Sequence, residues 1–184
     1  MEKILIFGYG SLTSEKNLKS IPVIIKGFKR GWFLNIPQDR TMALAMIKNK
    51  NFYCNGALLE VSNEKLQEFD KREKSVGYKR VRINKSDIKT INGKSISNTK
   101  IFAYVLKKPQ RAKFNIIQSY LDVVLTGYLN VNRKFAREFL YTTHGWRKIE
   151  NDRKFPRYPR YTKKLRMKSR IDKLIKDNSS RLIS

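Results

Sequence analysis

The chain has 184 residues, 41 of them Lys or Arg and 15 Asp or Glu, which gives a formal charge of +26 at pH 7. That length suits one domain with a real core; no apolar run reaches the roughly 18 residues of a membrane span, and one Lys before four apolar residues is no secretory signal. With one His and one Cys, ordinary His/Cys metal sites and Cys–His catalysis have almost no material, and no metal site is predicted.

Strand signals dominate the first half of the chain. Ile4–Phe7, Val23–Phe28, Trp32–Ile36, Met42–Ile47, Tyr53–Val61, Tyr78–Ile83 and Ile101–Leu106 are short, apolar or alternating, and rich in β-branched or aromatic residues. Pro22, Gly27, Gly31, Pro37-Gln38-Asp39 and Asn92-Gly93 punctuate them, the last read as a hairpin turn. One helix interrupts the run: Ser62 is a credible N-cap, Glu64 suits the positive helix end, and Leu66 with Phe69 make an apolar stripe to about Arg72.

The second half turns helical. Lys113–Leu129 and Arg133–Thr143 place apolar residues at near-helical spacing and read as core faces. His144 follows the second of these and precedes Gly145, a position that needs no catalytic role. Residues 151–161 are irregular, with Pro156, Pro159 and cations among aromatics. From Thr162 onward the composition shifts to Lys, Arg, Ser and Asn, where Leu165, Ile171, Leu174 and Ile175 suggest one amphipathic helix. We therefore expect an α+β domain over residues 1–161, a small mixed β-barrel with flanking helices, and a basic C-terminal tail over residues 162–184.

Cys54 sits in a strand-like segment as a buried, inert thiol, which fits a reducing, cytoplasmic setting. A charge of +26 attracts nucleic acid or an anionic surface without any specific site. The Lys residues are scattered through every segment, however, whereas nucleic-acid binders cluster them.

Two stretches bear on chemistry. Ile4-Leu-Ile-Phe-Gly-Tyr-Gly-Ser-Leu12 runs a strand into a turn whose backbone N–H groups suit an anion or developing negative charge. Gly8 and Gly10 give GxG, but Thr13 replaces the third Gly of a dinucleotide fingerprint and no GK[ST] follows. The second stretch is Phe69-Asp-Lys-Arg-Glu73, with Asp70 and Glu73 at a helix C-terminus. The dipole there disfavours a carboxylate and suits a proton acceptor, while Lys71, Arg72 and Lys74 act oppositely. A solvated, charged helix end is the alternative.

Read together, the FGYGSL turn, LxxFDxRE about sixty residues later and Gly77-Tyr78-Lys-Arg-Val81 resemble the γ-glutamylcyclotransferase-like superfamily. Leu12 is similar to the glutathione-acting, ChaC-type branch and its bacterial relatives. Gly27–Trp32, Asn55–Leu58, Ser119–Asp122, Phe139–Thr143 and Asn151–Arg160 extend the resemblance over residues 3–161. Tyr78 follows a single Gly where ChaC-type proteins often have a pair, and residues 162–184 match nothing in the family.

The resemblance implies cleavage of a small γ-glutamyl amide by its own α-amine, giving 5-oxoproline and a free amine without any cofactor. It assigns Glu73 as general base and then general acid, with Tyr9, Gly10, Ser11 and Leu12 cradling the γ-glutamyl head and Tyr78 as a pocket wall or a strand aromatic. Asp152 and Arg153 either line the pocket or pin the terminal segment. The reading from another class is a non-enzymatic nucleic-acid or anionic-surface binder on the same fold, acting through the tail and the Phe155–Tyr161 cation–aromatic run.

Overall fold

The computed structural model describes residues 3–15, 19–162 and 167–182. Strand β1 (Lys3–Gly8) lies between β3 (Thr41–Val61), antiparallel, and β6 (Thr99–Val105), parallel. β2 (Ser20–Ile36) forms a long hairpin with β3, and the short β5 (Ile88–Thr90) and β4 (Lys79–Arg82) close the two edges in the order β4-β6-β1-β3-β2-β5.

The expected α+β class is observed, but the strand path is open and no closed barrel forms. The sheet curls instead, far enough for the Leu106 N–H to reach Met46 O at 2.8 Å. Its curl has a visible source. The four strands expected over residues 23–61 are two long ones: the break predicted at Gly27 is absorbed as an irregularity between Lys26 and Phe28, Gly31 pairs with Ala45 in register, and a second irregularity falls between Trp32 and Leu34. Gly27, at φ +84°, sits at the first irregularity, where residues 49–52 of β3 have no partner on β2, and extra residues on one strand bend and twist a ladder without ending it.

Asn92-Gly93 is a turn, with Gly93 at φ +69° and Lys94 N–H donating to Asn92 Oδ1 at 3.3 Å. It is not the predicted hairpin, since β5 pairs with β2 while β6 pairs with β1 and β4.

Side chains alternate across β1, so Leu5 and Phe7 join one core and Ile6 the other. The smaller core carries α1 (Asn63–Ser75), which begins as predicted, with the Ser62 hydroxyl accepting Lys65 N–H. The larger core carries α2 (Gln118–Val131) and α3 (Arg133–Thr142). α2 starts later than its apolar pattern because Ile116–Ile117 is a strand, β7; α3 ends in the two-residue strand β8 (Thr143–His144) beside β2. β7 pairs with β9 (Ile149–Glu150).

After residue 161 the predicted amphipathic helix is α4 (Lys168–Lys176), followed by the short α5 (Ser179–Leu182). Ile171 and Leu174 are fully buried in the larger core, so this basic segment is packed on the domain. Leu165 lies outside the described residues. Cys54 is buried, as expected, and burial pushes its thiol up to about 11. No helix among the described residues is long and apolar enough to cross a membrane.

Candidate active site

β1 ends at Gly8, and the chain continues through Tyr9 and Gly10 into a 3-10 turn at Ser11–Ser14. The first N–H groups of such a turn have no partner within it. The turn is held from below: Thr13 Oγ donates to Gly10 O at 2.8 Å, and Tyr128 Oη donates to Tyr9 O at 3.0 Å. α2 presses directly on it. A Cβ at Gly127 would meet the Thr13 backbone at 2.5 Å, so only glycine permits this approach. A Cβ at Gly10 would meet the Tyr120 hydroxyl at 3.1 Å. The contribution of Gly10 is therefore the space beside that hydroxyl.

Beside the turn lies a cleft of about 370 Å³. Glu73 enters it from the last turn of α1. The helix stops in a left-handed cap: Gly77 has φ +95°, its N–H reaches Lys74 O at 3.1 Å, and Tyr78 N–H reaches Glu73 O at 3.0 Å. That pair of bonds ties the backbone of Glu73 to Tyr78, and the single glycine between them supplies the positive φ. Both side chains then face the same cleft.

The Glu73 carboxylate is 17% exposed, and its Oε1 accepts from Arg72 Nε at 2.9 Å and Nη2 at 2.7 Å. Its Oε2 has no hydrogen-bond partner among the described residues. Asp70 is spent differently, accepting from Tyr104 Oη at 2.8 Å and Arg80 Nη1 at 2.6 Å, and it does not line the cleft. Asp39, on the turn between β2 and β3, is a second carboxylate on the cleft wall that sequence reading did not single out.

Five tyrosines, Tyr9, Tyr78, Tyr104, Tyr120 and Tyr158, also line the cleft. Tyr9 Oη donates to Tyr104 O at 2.9 Å and Tyr78 Oη to Leu44 O at 2.8 Å. Burial pushes the phenols of Tyr9, Tyr78 and Tyr120 far above their ordinary value, and the charge of Glu73 acts in the same direction. All three therefore stay protonated at neutral pH and serve as hydrogen-bond donors. Tyr120 was legible only as part of a core stripe, although Ser119–Asp122 had been singled out in the sequence.

The segment 151–161 crosses this face as a strap. Asp152 and Arg153 fasten it and do not line the cleft. The Asp152 carboxylate accepts Ser119 N–H at 2.7 Å and Ser119 Oγ at 2.6 Å, capping the first turn of α2. Arg153 is chelated by fully buried Asp122, at 2.6 and 2.7 Å, and by Asp172 of α4, at 2.7 and 2.9 Å. So fastened, the strap lays Tyr158, Pro159 and Arg160 along the cleft. Tyr158 packs on Tyr120 with ring centroids 4.8 Å apart, and Arg160 donates to Ser11 Oγ. His144 packs edge-on against Phe52 and takes no part in the cleft.

All the residues expected to cradle or process the γ-glutamyl head, namely Tyr9, Gly10, Ser11, Leu12, Glu73 and Tyr78, line this single cleft. Among the described residues, no group of three or more His, Cys, Asp or Glu side chains is placed to hold a metal ion.

No family model and no curated protein matches the chain. Solved structures do match. A γ-glutamyl cyclotransferase structure aligns over 94% of this chain and 99% of its own with a TM-score of 0.60 at 15% identity. An uncharacterized protein from Homo sapiens, loc79017, aligns over 83% and 96% with the same TM-score and identity. YkqA from Bacillus subtilis aligns over 79% of this chain and 57% of its own, with a TM-score of 0.53 at 16% identity. The chain thus has the γ-glutamylcyclotransferase-like fold that its sequence motifs resemble.

Proposed function

We propose that the protein is a γ-glutamyl cyclotransferase acting on glutathione or another γ-glutamyl peptide or amine, without a cofactor, in the reducing cytoplasm that its lone thiol suits. The observation that carries this reading is the single cleft lined by both the Gly-Tyr-Gly-Ser turn and Glu73, whose second carboxylate oxygen has no hydrogen-bond partner among the described residues. A purely cationic binder has no use for a carboxylate there.

The proposed reaction is intramolecular. The α-amine of the γ-glutamyl head attacks its own γ-carbonyl, the new N–C bond closes a five-membered ring, and the amide C–N bond breaks to release an amine. Holding amine and carbonyl in attack geometry removes much of the entropic barrier. The amine must lose a proton to attack and the leaving nitrogen must gain one, and Glu73 serves both needs in turn. Charge on the carbonyl oxygen is met by the turn's N–H groups, with the protonated Tyr120 hydroxyl as a further donor, since the protons of Tyr9 and Tyr78 are given to backbone carbonyls. Arg72 holds the carboxylate in place through one oxygen and leaves the other for the proton.

An assay of 5-oxoproline release across a panel of γ-glutamyl compounds tests the reading. Release from at least one of them supports it. The rival is a non-enzymatic anion binder, for which Phe155 is a specific support: this ring is 76% exposed beside Lys154. No 5-oxoproline from any substrate, with salt-resistant and sequence-selective nucleic-acid binding, would put the rival in its place, since unspecific binding falls steeply with salt.

A further inference from the structure

Two cations line the cleft, and they differ in what they are bonded to. Arg72 is paired to Glu73 through two of its nitrogens. Arg160 is not paired in that way. Its Nε donates to Tyr158 Oη at 2.9 Å, its Nη2 donates to Ser11 Oγ, and the one carboxylate near it among the described residues, Glu15, lies 3.7 Å from Nη1. The other arginines of the strap end on close carboxylates, Arg153 on Asp122 and Asp172 and Arg157 on Glu150. Arg160 is thus a guanidinium held by neutral oxygens against the turn that is to receive the substrate, with charge to spare for an anion.

Its position is not left to a flexible side chain alone. The strap is clamped to α2 through Asp152 and to α2 and α4 through Arg153, the Tyr158 ring braces on Tyr120, and Ser11 meets the guanidinium from the turn itself. Such a fixed, planar donor suits a carboxylate, which it binds in a charge-assisted way. A γ-glutamyl head carries one carboxylate, on the carbon that also bears the attacking amine.

We propose that Arg160 takes the α-carboxylate of the substrate and thereby sets the preference for a γ-glutamyl head over the same amide lacking that carboxylate. The proposal rests on the cyclotransferase reading for its substrate. Seated so, the carboxylate anchors the α-carbon at the turn, and the neighbouring amine is oriented toward the Glu73 side of the cleft.

The comparison uses γ-glutamyl-p-nitroanilide and 4-aminobutanoyl-p-nitroanilide. The second has the same amine and amide, cyclises to 2-pyrrolidinone by the same bond exchange, and lacks only the carboxylate. Both release p-nitroaniline, and the full chain is assayed as wild type, Arg160→Gln and Arg160→Lys, with each variant's melt recorded. Wild type is expected to prefer the γ-glutamyl compound in kcat/KM by about 10- to 100-fold, the value of a charge-assisted hydrogen bond. In Arg160→Gln that ratio collapses toward one, and Arg160→Lys, which keeps the charge without the fork, falls between. An equal loss on both compounds would mean that Arg160 only fastens the strap, and an unchanged ratio would mean that it contacts neither; each overturns the proposal.

Calorimetric binding of 5-oxoproline and of 2-pyrrolidinone separates this claim from the reaction. If wild type turns over neither anilide, the cyclotransferase reading is decided by the 5-oxoproline panel. Arg160 is then still decided by whether Arg160→Gln weakens 5-oxoproline and spares 2-pyrrolidinone. Absent or unaltered 5-oxoproline binding overturns it.

Discussion

Beneath the Tyr9–Gly10 turn, every donor of a buried guanidinium is used; above the turn, polar groups are left with capacity unspent. Arg30 is fully buried, and its nitrogens donate to the hydroxyls of Thr142, Thr143 and Tyr128, to Asn55 through both its backbone and side-chain oxygens, and to Phe139 O. No acid is among its partners, and the Phe139 ring, 4.4 Å from the guanidinium carbon, supplies the remaining compensation. Tyr128 passes the arrangement on by donating to Tyr9 O. In the cleft above, Glu73 keeps one oxygen without a hydrogen-bond partner among the described residues, and Arg160 meets its nearest carboxylate there, Glu15, only at 3.7 Å. Polar groups that build the turn are saturated, and those proposed to meet substrate are not. Changes below should therefore cost stability first, and changes above should cost turnover with the fold intact.

The largest stability effect is expected at Arg30. Arg30→Met removes the donors for several buried oxygens at once, and each unsatisfied group costs about 1–3 kcal/mol, so a loss of about 3 kcal/mol or more is expected. That corresponds to a fall in Tm of about 6–12 °C for a domain of this size. Arg30→Lys should not rescue it, because one ammonium cannot serve acceptors spread around a plane. A Tm within about 2 °C of wild type, less than 1 kcal/mol on this scale, would break the comparison.

Next in size is Gly127→Ala. The added Cβ would meet Thr13 backbone atoms at 2.5 and 2.6 Å, so helix and turn must separate. Overpacking of this kind costs about 1–3 kcal/mol, read as a shift of the denaturant midpoint at unchanged m. Because the displaced element is the turn itself, KM should rise as well. Lost stability with unaltered KM would show that the turn's position does not matter to substrate.

The smallest effect belongs to His144. Burial, helped by the charges of Lys29 and Arg30, holds its imidazole below the ordinary value of 6.5. Within the window between the folded value and 6.5 the unfolded chain binds more protons. Stability from this group is therefore present above about pH 6.5 and lost as pH falls through that window. His144→Gln should flatten that part of the stability–pH curve while leaving the cleft unchanged, and an equally steep curve in the variant would assign the slope to another group.

Much of this was legible in the sequence because it rests on local rules. The Ser62 cap and the Leu66–Phe69 stripe predict α1, and the Glu73-to-Tyr78 spacing anticipates one site because Gly77 turns the helix end back on itself. What was not legible depends on distant partners. Gly31 looks like a break until Ala45 of β3 is paired beside it, and Gly27 until β3 is paired with Lys26 and Phe28 on either side of it. The Asn92-Gly93 turn has the chemistry of a hairpin, yet its flanking strands are claimed by opposite sides of the sheet. β5, with three residues, has too little pattern to be seen at all. In the site, Asp39 and Arg160 arrive from segments remote in sequence: nothing local marks Asp39 as a site residue, and within the Asn151–Arg160 stretch nothing local separates Arg160 from Arg153 and Arg157.

The central claim is tested most directly by Glu73→Gln, with 5-oxoproline release and the thermal melt measured on the same preparation and Asp39→Asn alongside. Gln keeps the shape and loses the proton acceptor, so turnover should fall by about 10²- to 10⁴-fold while Tm stays at the wild-type value. Turnover within about twofold of wild type in the folded Glu73→Gln protein, far short of a general base's usual contribution, would contradict the account. So would loss of turnover in Asp39→Asn alone, which would move the proton transfer to the other carboxylate of the cleft.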